Sequence, residues 1–552
     1  MNQSYDFIII GGGSAGCVLA NRLSSDPAAR VLLIEAGPED TALKIQMPGA
    51  TPYVIADETI NWRYYTEAQE NLDGRRLQWP RARVLGGCSS HNTMVFIRGH
   101  ARDYDHWRQL GCVGWSYSEI LPYFRRSEQR ESGEDIYHGG EGPMRVRPAN
   151  FPNPLNQAFI EAGIEAGFPY TDDFNGHQQE GVGRFDVNIG DGKRWNTSRA
   201  YLWPALERPN LEVKTQALVT RILFDANRAT GVELSVQGQI QQVASTQEII
   251  LSAGAINSPQ LLMLSGIGNA NHLKKHDIPV VIDLPAVGQN LQDHLDISIQ
   301  HHCLQPVSLA KYNRLDRKAL IALQWWFFDS GLGTSGHLEV GSFLRSSSSV
   351  ETPDIQHHFI PIAILEHGTQ FPNVHSYQAS VCQLRQDSRG FIELRSNDPR
   401  DHPVMQPNYL DTEDDKRCMR EAVKITREIF AQPAFDEFRG REIQPGPACQ
   451  SDADIDAFVR AKSETTYHPC GSCKMGTDAN AVVDPALRVF GTEGLRVADA
   501  SVMPTIVSGN LNAPTIMIAE KAADLILDRD ALPREYVPIA EALPRGEKTV
   551  NL

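Results

Sequence analysis

Tyr5-Asp6-Phe7-Ile8-Ile9-Ile10-Gly11-Gly12-Gly13-Ser14-Ala15-Gly16-Cys17-Val18-Leu19-Ala20 decides the fold. An apolar run stops at spaced glycines, and a helical pattern begins directly behind them. Gly11, Gly13 and Gly16 complete G-x-G-x-x-G. Gly11 permits the tight turn, Gly13 lets the backbone approach a pyrophosphate, and Gly16 lets helix and strand pack closely. The helix N-terminus, with Ser14 and Ala15 in its first turn, then presents its positive end to the phosphates. Val31-Leu32-Leu33-Ile34-Glu35 supplies a second strand that ends in an acid. Glu35 is placed to accept hydrogen bonds from a ribose diol. These parts together make a βαβ dinucleotide unit. The bland alternative is a small-residue turn with no ligand, and the motif alone does not choose between NAD and FAD.

The chain has 552 residues, too many for one core, so two domains are expected. A formal net charge of −16 argues against nucleic-acid binding, which needs a basic face. No stretch reaches the roughly eighteen apolar residues of a membrane span. Ala319-Leu320-Ile321-Ala322-Leu323-Gln324-Trp325-Trp326-Phe327-Phe328 is the most apolar segment. It is expected to be a buried helix, with a surface patch touching membrane or quinone as the alternative. The first strand starts near residue 5, which predicts a fold that begins here in a reducing compartment. Cytoplasmic placement is expected, with the periphery of an inner membrane as its variant. Nine dispersed cysteines do not form a disulfide framework, and Cys470-Gly471-Ser472-Cys473 lacks a second pair at zinc-like spacing. Both cysteines are expected to be packed thiols, and no metal site is predicted.

The pattern after Glu35 is irregular as far as Arg83. It then reaches Arg83-Val84-Leu85-Gly86-Gly87-Cys88-Ser89-Ser90-His91-Asn92, where paired glycines bring backbone N–H groups close to an anion or a ring face. Strands are predicted at 210–214, 217–224 and 247–255. A helix opened by Ser258 and Pro259 follows the last of these. Between about 300 and 460 strands alternate with amphipathic helices such as 414–431. A short strand near 494–500 and a helix over 512–527 return at the end. The nucleotide fold thus starts, is interrupted by a second domain, and is completed at the C-terminus.

With these segments in hand, the chain resembles the glucose–methanol–choline family of FAD-dependent oxidoreductases over essentially its whole length. The resemblance rests on the N-terminal glycines with Glu35 and on Ala82 to Arg98. It rests further on Gly254-Ala255-Ile256-Asn257-Ser258-Pro259 and Val287-Gly288-Gln289-Asn290-Leu291-Gln292-Asp293-His294. Its last marks are His468-Pro469-Cys470-Gly471-Ser472-Cys473-Lys474-Met475-Gly476 and Gly509-Asn510-Leu511-Asn512-Ala513-Pro514-Thr515. Within the family these stretches are most similar to the choline dehydrogenase branch, with aliphatic alcohol dehydrogenases next. The resemblance implies an α/β fold: a discontinuous Rossmann-like FAD-binding domain with an inserted α+β substrate domain built on an antiparallel sheet. The implied FAD-binding parts are 1–155, 195–300 and 465–530. The substrate domain is implied at 156–194 and 301–464, and 531–552 is a C-terminal tail.

The resemblance also implies roles. His468 is the base that removes the hydroxyl proton while hydride leaves the carbon, and Asn510 orients the hydroxyl and steadies the developing alkoxide. Glu35 holds the adenosine ribose and Val219 meets the adenine. Val84, Gly86, Gly87, Asn92 and Val95 line the isoalloxazine and phosphate path. Asp499 and Ala500 approach the pyrophosphate or ribityl chain. Choline oxidases carry Cys-Ser-Ser-His-Asn, as here in 88–92, and their histidine bonds the flavin. A covalent link through His91 is therefore expected beside the alternative of simple packing. Trp62 and Tyr467 match aromatic cage positions for a trimethylammonium group, Glu339 matches the facing carboxylate, and His358 matches a further active-site histidine. Electrons then pass to a quinone, another carrier or oxygen. Relatives of this pattern also oxidise uncharged aliphatic, aryl or furanic alcohols, and the same fold hosts hydroxynitrile lyases. An oligomer is compatible with all of these.

Overall fold

The computed structural model describes residues 4–364 and 374–541. Its first sheet grows from the opening motif. Ser4–Ile10 lies between Val31–Ile34 and Gln239–Leu251, parallel to both, with Leu211–Lys214 on the outer side of Val31–Ile34. Val31–Ile34 is buried at every residue, which explains its unbroken apolar run: parallel strands are covered on both faces. Arg228–Val236 and Ala217–Asp225 extend the sheet as an antiparallel meander, and Leu495–Val497 pairs with the end of Gln239–Leu251. The sheet therefore draws on both ends of the chain.

Gly16 shows why the opening helix needs its glycine. A Cβ there would lie 1.9 Å from the Gly11 carbonyl oxygen, so any side chain would push helix from turn. The helix Ser14–Leu23 packs on the C-terminal helix Asn512–Ile526. Between these elements the buried Glu520 accepts from Arg22 at 2.7 and 3.0 Å and from Tyr201 at 2.8 Å, and pairs with Arg126 at 2.9 Å. Removing one partner from such a buried pair costs about 3–5 kcal/mol.

The helix after Gln239–Leu251 begins earlier than the sequence predicts, at Gly254 rather than at Ser258-Pro259. Pro259 therefore lies inside it and has no N–H for the Ala255 carbonyl one turn back. Ser472 supplies the missing donor: its Oγ reaches the Ala255 oxygen at 2.5 Å. That contact explains the serine in Cys470-Gly471-Ser472-Cys473. Both cysteines are buried and unpaired, with burial holding their thiols protonated.

The second sheet is antiparallel. Its order is Arg439–Gln444, Leu295–Cys303, Ser376–Gln383, Ile355–Ile360, Val340–Leu344 and Gly181–Arg184, and Glu464–Thr465 is a further partner of Leu295–Cys303. The boundary expected at residue 300 is displaced, because it would cut Leu295–Cys303. That whole strand belongs to the antiparallel sheet.

The segment expected as a buried helix is instead a surface helix. Leu315–Phe328 buries only Trp325, whose indole donates to the Gly192 carbonyl at 2.8 Å. Leu315, Leu320, Leu323, Trp326, Phe327 and Phe328 are all exposed. Local sequence could not decide this, since apolar residues surround the helix on every side and no stripe marks a core face. Among the described residues no helix is long and apolar enough to cross a membrane. The described part of the tail lies back on the first domain through Arg125–Glu535 at 2.7 Å and Glu535 N–H to Ser118 O at 2.9 Å.

Candidate active site

A cavity of about 950 Å³ runs between the two sheets, with cofactor-type and substrate-type walls. Three helix N-termini converge on it: those of Ser14–Leu23, Gly254–Leu264 and Asn512–Ile526. Ser14 Oγ donates to Asn512 Oδ1 at 2.8 Å, tying the first to the last. Asp499 ties in the second, accepting from Gly254 N–H at 2.9 Å and Ser258 Oγ at 2.6 Å. Unpaired N–H groups and aligned dipoles at these ends suit a pyrophosphate. Gly87 and Gly13 bring their backbones together beside it; a Cβ on Gly87 would meet Gly13 Cα at 2.6 Å. Glu35 lines the same end and accepts from Gly12 N–H at 2.9 Å and Gly37 N–H at 2.8 Å. Burial nevertheless raises its carboxyl to about 7.

Gly11, Gly13, Ser14, Ala15, Glu35, Gly87, His91, Asn92, Val95, Val219, Asp499 and Ala500 all line this cavity. Gly16 stands one turn behind, in the helix–turn contact. Two expected lining residues do not reach the cavity. Val84 is buried in a small apolar cluster with Ile45, Val54 and Ile60. Gly86 lies against Ser90 and Asn196, with its N–H on the Gly12 carbonyl at 2.7 Å. Both shape the loop from behind. Arg194, which sequence reading passed over, holds that loop in place: its guanidinium donates to the carbonyls of Ile45 at 3.0 Å and Asn92 at 2.5 Å.

His91 lines the cavity from this loop. Burial, with Arg81 and Arg194 nearby, lowers its imidazole to about 3, so the ring is neutral. Its Nε2 is buried and has no hydrogen-bond partner among the described residues. An orphaned ring nitrogen inside a cavity of cofactor size fits a bound partner there.

At the other end His468, Asn510, His358, Trp62 and Tyr467 share the lining. The proton positions follow from a relay. His294 Nε2 lies 3.2 Å from the Leu384 carbonyl, which can only accept, so that nitrogen carries the proton. Burial keeps His294 neutral, lowering it to about 3, so its Nδ1 is an acceptor. His468 Nδ1, at 3.0 Å, must then donate to it. This leaves His468 Nε2 unprotonated, with its lone pair accepting from Asn510 Nδ2–H at 3.3 Å. The Asn510 amide is oriented in turn, because its Oδ1 accepts from Gln356 Nε2 at 3.1 Å. Burial, then His294, His358 and Arg81, hold His468 well below the ordinary histidine range. It is a neutral imidazole lining the cavity, suited to accept a proton. Asp293 fixes its backbone, accepting from His468 N–H at 2.7 Å and from the hydroxyls of Thr465 and Tyr409. His294 and Asp293 stood in a recognised sequence segment, but nothing local marked them as supports for a residue far along the chain.

The aromatic positions differ in availability. Tyr467, held at φ +67°, faces the cavity. Trp62 reaches it too, but its ring stacks with Tyr64 at 5.9 Å and lies under the Arg83 guanidinium at 5.5 Å. Glu339 is a correction. It does not line the cavity. Its carboxylate accepts from Phe151 N–H at 2.9 Å and from the Ser335 hydroxyl, so it braces two loops.

The GMC oxidoreductase family models match residues 5–296 and 386–519. Over 546 residues the chain is 52% identical to mitochondrial choline dehydrogenase of Mus musculus, covering 97% of this chain and 92% of that one. It is 49% identical over 531 residues to the oxygen-dependent choline dehydrogenase of Brucella anthropi, covering 96% of each. Among solved structures, a variant of Aspergillus oryzae RIB40 formate oxidase, described for its FAD modification, superposes with a TM-score of 0.89 at 25% identity. That match covers 96% of this chain and 99% of the other.

His468→Ala is expected to retain the bound cofactor but slow its reduction by substrate about 10²–10⁴-fold, the usual contribution of a positioned base. Stopped-flow reduction under anaerobic conditions measures this, and a near wild-type rate would remove His468 from the chemistry.

Proposed function

This chain belongs to the GMC oxidoreductase family, its cofactor is FAD, and we propose from that premise that it oxidises a choline-like primary alcohol to the aldehyde. The carrying observation is the relay that leaves His468 Nε2 unprotonated beside Asn510, in a cavity entered by three helix N-termini. Bound FAD supplies the acceptor for the hydride. His468 Nε2 takes the hydroxyl proton, and the neutral His294 accepts a hydrogen bond from Nδ1–H of the imidazolium so formed. Asn510 Nδ2–H steadies the oxygen as it gains charge. The close identity to choline dehydrogenases supports the substrate class. Choline under anaerobic conditions should bleach the oxidised flavin band fully. A protein that cleaves a hydroxynitrile without bleaching would be a lyase.

His91 is the proposed attachment point for the flavin. Its neutral, unpartnered Nε2 in the cavity supports the link, as does the loop run from Cys88 to Asn92. Acid precipitation should give a yellow pellet that turns colourless in His91→Ala. A colourless wild-type pellet would exclude the bond.

The exposed helix Leu315–Phe328 is the proposed contact with an anionic lipid surface, where a membrane quinone would take up the electrons. Its outward Leu320, Leu323, Trp326, Phe327 and Phe328 provide the apolar part. Lys311, Arg314, Arg317 and Lys318 precede or open it, a basic group in an otherwise acidic chain. An apolar face with basic residues at its start suits a helix lying in a bilayer interface. Vesicles containing phosphatidylglycerol should co-sediment the wild type. Trp326→Gln with Phe327→Gln should stay in the supernatant with unchanged flavin content. A dimer that the same changes dissociate would instead make the occupant a second copy of this chain.

A further inference from the structure

Gln356 is fully buried on the strand Ile355–Ile360, two residues before His358 and therefore on the same face of the sheet. His358 lines the cavity, whereas Gln356 does not. From behind the wall its side-chain amide touches two groups that do. Gln356 Nε2 stands 3.1 Å from Asn510 Oδ1 and 3.1 Å from His358 Nε2. Its own Oε1 is buried without a hydrogen-bond partner among the described residues. Buried amides normally satisfy both ends, so this one is held by its nitrogen.

The relay from Leu384 accounts for that orientation. It leaves His468 Nε2 unprotonated, so Asn510 turns Nδ2–H toward that nitrogen and Oδ1 away from it. Oδ1 then needs a donor, and Gln356 supplies one only through Nε2. Turned over, Gln356 would set its oxygen against Asn510 Oδ1 and bury two N–H hydrogens without partners. The same nitrogen governs His358. Burial lowers that imidazole to about 4, with Asn510 only partly opposing, so the ring is neutral and carries one N–H. Two N–H groups cannot point at each other across 3.1 Å. His358 Nε2 is therefore the acceptor for the second N–H of Gln356, and the ring proton sits on Nδ1.

We infer that Gln356 is a positioning residue, whose two N–H hydrogens fix the direction of the Asn510 amide and the site of the proton on His358. This rests on the reading of His468 and Asn510 as the groups that meet the alcohol oxygen. The two ends of an amide are almost equal in size, so packing alone hardly chooses between them and hydrogen bonds must. Released from Gln356, Asn510 is free to turn Oδ1 toward His468 and the substrate oxygen. An acceptor then stands where negative charge develops, in place of the donor that steadies it. Gln356 thus acts on the reaction without touching substrate.

Gln356→Met keeps the length of the side chain and removes its N–H groups. In anaerobic stopped-flow with choline it should retain FAD and slow flavin reduction at saturation about 10- to 100-fold, with the half-saturating concentration within about 2-fold of the wild type. The slowing should disappear once its target is gone: Gln356→Met added to Asn510→Ala should change the rate by less than about 2-fold, because the two residues act as one unit. In protein labelled with ¹⁵N-histidine, the His358 ring, identified by its loss in His358→Ala, should be protonated at Nδ1 in the wild type and lose that preference in Gln356→Met. Equal slowing by Gln356→Met in both backgrounds would overturn the role, as would an unchanged rate in the single variant. Should Gln356→Met fail to fold, a wild-type His358 protonated at Nε2 would still overturn it. A wild type whose flavin choline leaves oxidised would instead remove the reading of the reaction, and this role falls with it.

Discussion

The hydrogen bond between His468 and His294 is the contact around which the site is organised. It joins the loop carrying His468 to the residue just before the antiparallel strand Leu295–Cys303, and it fixes which nitrogen of His468 bears the proton. A histidine in water exchanges its proton freely between two nitrogens. Here the Leu384 carbonyl takes one N–H from His294, and the consequence passes through two rings to the face of His468 that meets substrate. The strand pairing of Leu295–Cys303 with Glu464–Thr465 and the bridge between Gln292 and Cys470 hold the two rings at that separation. A change in that register would disturb the relay.

Burial shifts the histidines and several carboxylates in and around the cavity, and the protein uses it in two opposite ways. Imidazoles are pushed down, so His91, His294, His358 and His468 are all neutral and keep a lone pair for bonding or proton transfer. Carboxylates are pushed up and are then recovered by donors. Asp499 and Asp293 receive backbone N–H groups and hydroxyls, which makes them structural pivots for helix N-termini and for the base. Glu339 follows the same logic, with Phe151 N–H and Ser335.

The sequence by itself determined the first sheet and its turn. Gly11, Gly13 and Gly16 between apolar runs dictate a local geometry, because their spacing is set by backbone sterics within a few residues. The antiparallel second domain and the closeness of His468 to Asn510 were also legible, but through motif resemblance rather than periodicity. Tertiary structure alone decided what depended on distant partners. The start of the helix at Gly254 needed Ser472 to satisfy the carbonyl freed by Pro259, more than two hundred residues away. The exposure of Leu315–Phe328 could not be read from composition, since apolar residues all round a helix do not say which side is covered. Val84 and Gly86 belong to the loop's back, and Glu339 to a loop brace, because side-chain direction is set by the packed neighbours. The proton on His468 Nδ1 came from a chain of acceptors spread over three segments. Local sequence encodes turns and strands through short-range sterics, whereas protonation, burial and the facing of a side chain are set by atoms that only folding brings together.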